Sequence, residues 1–183
     1  MAATGWCGVR LGYLIAQFRH TFSKRHKDAS FRINPAIKVL SEVGGLPYGS
    51  LVLDIGVRNR IEPDLLGRAG WRVTATDLFP MARGIRQADV CGLPFTDSSF
   101  SAVVASHVLE HAHDPDQALR EVARVLKPGG LLWAAWPTGF RLTAHDRVDY
   151  GSASNFHERF PRQAEILWRQ NDATESRVLM RVL

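Results

Sequence analysis

The sequence predicts a single α/β domain of the doubly wound, Rossmann-like type: a mostly parallel sheet with an antiparallel C-terminal edge hairpin. Three observations carry that expectation. From residue 50 onward, short apolar or β-branched runs alternate with helical patterns, and such alternation requires right-handed crossovers within a parallel sheet. The first run, "VLDIG" (Val52–Gly56), passes from a strand pattern into an acid and a glycine, the form of a nucleotide-binding turn. The last two runs face each other across a short polar turn, as a hairpin does. At 183 residues the chain is of a size to bury one such core.

The elements follow in order. Leu11, Leu14, Ile15, Phe18 and Phe22 recur at helical spacing, so Val9–Phe22 is expected to be a basic amphipathic helix. Asn34-Pro35 has the form of a cap followed by Pro in the first turn, and Gly44-Gly45 ends that helix. Ser50–Ile55 opens the sheet. Glu62–Ala69 is a brief helix, Trp71–Thr76 a second strand ending in Asp77, Ile85–Val90 a third and Ser101–Ser106 a fourth. Asp114-Pro115-Asp116-Gln117 starts the next helix, with Gln three residues after the cap as in a capping box. Lys127-Pro128-Gly129-Gly130 stops it, Leu131–Trp136 is a fifth strand, and Ala164–Gln170 and Ser176–Leu183 form the hairpin. The organisation is therefore a basic N-terminal extension, 1–34, ahead of a domain over 35–183.

Charge and composition narrow the function. Residues 1–34 hold six basic side chains against Asp28, which accounts for the whole net charge of +5, and the remainder is balanced. Such a segment can attract nucleic acid, anionic lipid or an acidic partner, but is more often a solvated helix face. Its helix is expected to pack on the domain, with lying over the active site or weak contact to a membrane surface as alternatives. The interleaved aromatics and arginines of single-strand binding are absent, so no nucleic-acid partner is expected. No apolar run reaches the roughly 18–20 residues of a membrane span, and no secretory leader is recognised, so a cytoplasmic location is expected. Cys7 and Cys91, far apart, give neither a disulfide framework nor a metal-ligand cluster. No metal is expected.

Ligands of open parallel sheets bind beyond the carboxyl ends of the strands. Polar groups stand at four such ends: Asp54 and Gly56, Asp77, Asp89, and Ser106-His107. An acid about 20 residues beyond the first turn suits the two hydroxyls of a ribose. The series "ADVCGLPFTDSSFSAVVASHVLEHAHDPDQALREVARVLKPGG", Ala88–Gly130, joins these features. With "VLDIG" and "TATD" it resembles the class I S-adenosylmethionine-dependent methyltransferases, in particular their small-molecule branch, over roughly residues 50–136.

The resemblance implies S-adenosylmethionine as cofactor, a small-molecule acceptor and in-line methyl transfer to oxygen or nitrogen. It implies Asp54 and Gly56 under the methionine end and Asp77 on the ribose. It implies Asp89 near the adenine amino group with Val90 beside the ring, and Ser106 and His107 facing the methionine part and the acceptor. His107 is the first candidate for a general base, with His145 and His157 behind it. Tyr150, Phe156, His145 and Asp146, within Thr138–Pro161, are candidates for the acceptor pocket, which a second subunit of a homodimer could complete. Asp97 reads as a turn residue, Glu110 and His111 as helix braces, and Pro128-Gly129-Gly130 as architecture.

The first loop departs from the pattern: Arg58 and Arg60 stand where further glycines are expected. Three placements are open. Arg58 pairs the cofactor carboxylate, or the arginines point outward, or they fill the cofactor space and leave a catalytically degenerate binding protein. A nicotinamide-dependent dehydrogenase is disfavoured, since the loop lacks that glycine series and no Tyr/Lys pair follows the fourth strand.

Overall fold

Period-two alternation in the strands decides which helix covers which face. The structure, a computed structural model, describes residues 30–139 and 146–183, with residues 30–32 described through their backbone alone. The helix expected over Val9–Phe22 and the candidate His145 lie outside the described residues. Among the described residues seven strands form one sheet: β1 Leu51–Ile55, β2 Arg72–Asp77, β3 Ile85–Gln87, β4 Phe100–Ser106, β5 Leu126–Pro137, β6 Ala164–Asn171 and β7 Glu175–Val182. Their order is β3-β2-β1-β4-β5-β7-β6. The first five run parallel, while β7 pairs antiparallel with both β5 and β6. The expected parallel sheet and edge hairpin are both present.

Val52, Ala102, Val104 and Trp133 face one layer, built from α1 (Ser30–Glu42) and α2 (Ile61–Arg68) with Ile33, Leu40 and Leu66. Leu53, Val103, Ala105 and Leu132 face the other, built from α3 (Pro115–Val125) and α4 (Ala153–Arg159) with Leu119, Val122 and Phe156. Burying both faces is what a mostly parallel sheet requires. Among the described residues no helix is long and apolar enough to cross a membrane.

Three details correct the sequence reading. First, the helix α1 already includes Ser30, so Pro35 sits inside it rather than in its first turn. The proline has no N–H for the carbonyl four residues earlier, a cost that the burial of Ile33, Ala36 and Leu40 offsets. Second, α3 stops at Val125, and Leu126 already pairs with Phe100 before the register jumps to Ala102 opposite Leu131. Lys127–Gly130 is thus a bulge within β5, with Gly129 at φ 74°. Third, α4 was not foreseen. It is seven residues long, with the Ser152 hydroxyl accepting the amide of Asn155 at its cap. Its Phe156 stacks on Trp136 at 4.6 Å between ring centroids, and Tyr150 meets both rings edge-on. Tyr150 and Phe156 are core residues, not the pocket lining expected of them.

The most specific stretch of sequence is held together by one arginine. Arg124 donates to the carbonyls of Phe95 (2.7 Å) and Leu93 (3.0 Å), to Asp97 (2.8 Å) and to Glu121. Glu121 in turn accepts the amide of Leu93 at 2.7 Å. This clamp fixes the Leu93–Asp97 loop on α3, so Asp97 is an ion-pair partner as well as a turn residue. Asp114 caps α3 by accepting the amide of Gln117 at 2.9 Å. Gln117 itself accepts from Arg120, so half of the expected capping box forms.

Arg124→Ala is predicted to remove about 2 kcal/mol, the scale for hydrogen bonds to charged groups, by leaving Glu121 and two carbonyls short of a donor. For a chain of this length that corresponds to a fall in Tm of about 4–8 °C in a thermal melt. An unchanged Tm would contradict the clamp.

Candidate functional site

Strands β1 and β4 are neighbours whose chains leave to opposite faces, β1 into α2 and β4 toward α3. The crevice at this reversal is the expected ligand position in an open α/β sheet. A cleft opens there, bounded by Ile55 and Gly56 of β1 and its turn, Asp77–Phe79 after β2, Ala88–Val90 after β3, and His107, Val108, His111 and Ala112 after β4. Counted with the solvent in its open mouth, the space is about 550 Å3.

Gly56 begins the loop at φ 81°, and a Cβ there would come within 2.5 Å of Val108. Glycine is required on both counts. The amides of Gly56 and Val57 both donate to Thr76, at 2.8 and 3.1 Å, so the loop is tied to β2. Among the described residues the only non-glycines at positive φ are Ser98 and His107. Arg58 and Arg60 therefore occupy ordinary backbone, and this loop path needs no glycine at either position. Arg60 turns away to pair with Asp64 on α2. Arg58 lines the cleft with Asp77. The two arginines thus have separate destinations.

Burial pushes the Asp77 carboxyl above its ordinary range, while the amide of Phe79, donating at 2.6 Å, and the charge of Arg58 pull it back. Asp89 lines the cleft beside Val90 and accepts the amide of Cys91 at 2.9 Å. Asp54 and Ser106 differ. Both are buried at the strand ends without forming the cleft wall, and neither side chain has a hydrogen-bond partner among the described residues. Complete burial, then the charge of Glu62, holds the Asp54 carboxyl well above the usual carboxylate range.

His107 sits at φ 53°, the left-handed region, just past β4. Its amide donates to Ala135 at 2.8 Å, and its Nε2 lies 2.5 Å from Glu175 Oε1. Burial pushes Glu175 up, but the hydrogen bond and charge of His107 and the charge of Arg177 bring it below its ordinary value. An ionised carboxylate only accepts, so Nε2 carries the proton. Nδ1 stands 3.7 Å from Glu110 Oε1, beyond hydrogen-bond range. Glu110 also lies 3.7 Å from His111 Nε2, and His111 Nδ1 is 3.1 Å from Asp146. Glu175, His107, Glu110, His111 and Asp146 thus alternate acid and imidazole, and of the five His107 and His111 line the cleft.

Gly56, Arg58, Asp77, Asp89, Val90 and His107 line one cleft, whereas Asp54 and Ser106, named with them from the resemblance, do not. His157 does not: its Nε2 is 2.7 Å from the carbonyl of Ala164, away from the cleft. Of the two residues read as helix braces, His111 lines the cleft, while Glu110 is buried behind it. Glu175 went unrecognised. It reaches the site because β7 starts opposite Pro137 at the carboxyl end of β5, and no local pattern marks that register.

Residues 53–134 match the family model described as a methyltransferase domain. The demethylmenaquinone methyltransferase of Renibacterium salmoninarum is 36% identical over 107 residues, covering 53% of this chain and 45% of that protein. A ubiquinone biosynthesis O-methyltransferase of Xanthomonas oryzae pv. oryzae is 33% identical over 102 residues, 46% of this chain and 42% of that protein. The chain spans less than half the length of these curated relatives. Among solved structures, the 1,6-didemethyltoxoflavin-N1-methyltransferase of Burkholderia thailandensis superposes with a TM-score of 0.65 at 17% identity, covering 93% of this chain and 87% of that one. That structure contains 1,6-didemethyltoxoflavin and S-adenosylhomocysteine. At such identity the likeness establishes the fold.

The buried Asp54 carboxyl generates a pH prediction. Its folded value is raised, so the folded state holds its proton longer than the unfolded chain. The stability it contributes is complete below the unfolded value and is lost as pH rises toward the folded one, by at most about 1.4 kcal/mol per pH unit. Relative to wild type, Asp54→Asn should gain stability progressively as pH rises above the ordinary carboxylate range and converge with it in acid. Parallel pH dependences in denaturant titrations would contradict the burial cost.

Proposed function

We propose, for a chain whose residues 53–134 belong to the class I S-adenosylmethionine-dependent methyltransferases, that the protein methylates a small-molecule acceptor at oxygen or nitrogen. The observation that carries this reading is the convergence of Gly56, Asp77 and Asp89 on one cleft at the strand-order reversal. Gly56 fits a backbone that a ligand approaches closely, because no side chain can stand there. Asp77 would hold the ribose hydroxyls, Asp89 the adenine amino group with Val90 against the ring, and Arg58 the terminal carboxylate as a charged pair. Asp54 and Ser106 would shape the strand ends from beneath. When bound, the cofactor supplies an electrophilic methyl group on a sulfonium.

The chain's own part is to position the acceptor and take its proton. Nε2 of His107 is committed to Glu175, so Nδ1 is the nitrogen that accepts. The imidazolium formed then keeps its hydrogen bond to the Glu175 carboxylate, which stabilises it. Proton transfer of this kind is worth roughly 10²–10⁴ in rate. The Glu175 carboxylate behind His107 favours an acceptor that arrives with its proton on, as a neutral hydroxyl or an amine. Action in the cytoplasm is part of the same reading.

Titration calorimetry with S-adenosylhomocysteine tests the cofactor site. Arg58→Ala should weaken binding by about 1.5–3 kcal/mol, and Asp77→Ala should weaken it as well. Tighter binding by Arg58→Ala would show an obstructing side chain, and no binding by wild type would overturn the function. In methyl-transfer assays over a panel of phenolic and amine acceptors, His107→Ala should lower kcat roughly 10²–10⁴-fold. Glu175→Gln should lower kcat at unchanged cofactor affinity.

A further inference from the structure

Beside the cleft, three side chains of different chemistry face one another without a role in the proposed transfer of a proton. Asp89, Cys91 and His113 each bring one ligand atom, all within 4.8 Å of one another, and all three are half-buried. Asp89 and Cys91 are held together by a tight turn, in which the Asp89 carboxylate accepts the amide of Cys91 at 2.9 Å. In the same turn the Asp89 carbonyl accepts the amide of Gly92 at 3.0 Å. His113 comes from the far side of the 3-10 turn Leu109–His111, and its Nε2 stands 3.3 Å from the other oxygen of Asp89. The Cys91 thiol donates to the carbonyl of Asp114 at 3.3 Å.

A carboxylate, a thiol and an imidazole together form a mixed O, S, N donor set, which suits zinc better than magnesium or calcium. Bonds of about 2.0–2.3 Å place tetrahedral zinc ligands roughly 3.3–3.6 Å apart. The Asp89–His113 edge already has that length, and rotation of Cys91 off Asp114 would bring its sulfur toward the same centre. Three protein ligands leave a position for water, as in zinc sites that remain open.

We propose that Asp89, Cys91 and His113 form a zinc site that shares Asp89 with the cofactor cleft, so that zinc and cofactor exclude one another. The exclusion rests on the placement of adenine at Asp89 under the proposed function; the metal site does not. On binding, the Cys91 S–H bond breaks, a sulfur–zinc bond forms, and the proton leaves to buffer. Because coupling between two ligands is reciprocal, cofactor weakens zinc by the factor by which zinc weakens cofactor.

Cobalt(II) titration of the full chain tests the site without any methyl acceptor. Wild type should develop a thiolate-to-cobalt charge-transfer band together with the visible bands of a tetrahedral ion. Cys91→Ser should lose the charge-transfer band and His113→Ala should bind cobalt more weakly, with both variants still folded by circular dichroism. No charge-transfer band in wild type, or one that persists in Cys91→Ser through Cys7, would overturn the site. Saturating zinc should then weaken S-adenosylhomocysteine binding by at least about tenfold, reversed by chelation and absent in Cys91→Ser. Equal affinity with and without zinc would overturn the exclusion. If S-adenosylhomocysteine does not bind at all, the proposed function fails, while the cobalt spectra still decide the metal site.

Discussion

The arrangement depends on one constraint: β1 and β4 lie side by side, yet their chains must leave toward opposite faces of the sheet. A crossover covers each face, and among the described residues a cleft is left open at the ends of the two strands between them. Every group of the candidate site is placed by that gap. The turn after β1 must bend sharply against Val108, which selects glycine at 56. Asp77 and Asp89 reach the same opening because β2 and β3 run parallel to β1 and end beside it. His107 reaches it from β4 with its backbone in the left-handed region, a conformation that persists only where surrounding contacts determine it. Those contacts are the amide bond to Ala135 and the side-chain bond to Glu175.

The two loop arginines illustrate how a sequence departure is absorbed. Glycine at 58 and 60 would matter if the backbone there took positive φ, and in this loop it does not. Asn59 accepts the amide of Ile61 at 2.9 Å and so turns the chain into α2 through a side chain instead. Arg60 then serves α2 through Asp64, and Arg58 gives the cleft a cation beside Asp77. The cleft thus carries a cation beside one carboxylate, with the Asp89 carboxyl elsewhere on its lining.

Much of this was legible in the sequence because it is local. The strands, the acids at their ends and the cap at Asp114 depend on residues within a few positions of each other. The resemblance over Ala88–Gly130 reflects a physical unit, since Arg124 and Glu121 bind the carbonyls and amides of the Leu93–Asp97 loop. What was not legible depends on register. Glu175 meets His107 across 68 positions because of antiparallel pairing. Phe156 and Tyr150, aromatic and placed in a variable stretch, look like pocket residues until Trp136 is seen to stack between them and the sheet. Pro35 misleads for a different reason: burial of one helix face offsets a local rule.

The central claim is that this cleft receives S-adenosylmethionine with Asp77 at the ribose and Arg58 at the terminal carboxylate. The most direct measurement is a crystal structure of the protein soaked with S-adenosylhomocysteine. The account predicts the ribose hydroxyls on Asp77, adenine against Val90 within reach of Asp89, and the ligand carboxylate paired with Arg58. A ligand bound elsewhere, or an Arg58 side chain lying where the ligand should be, would contradict it.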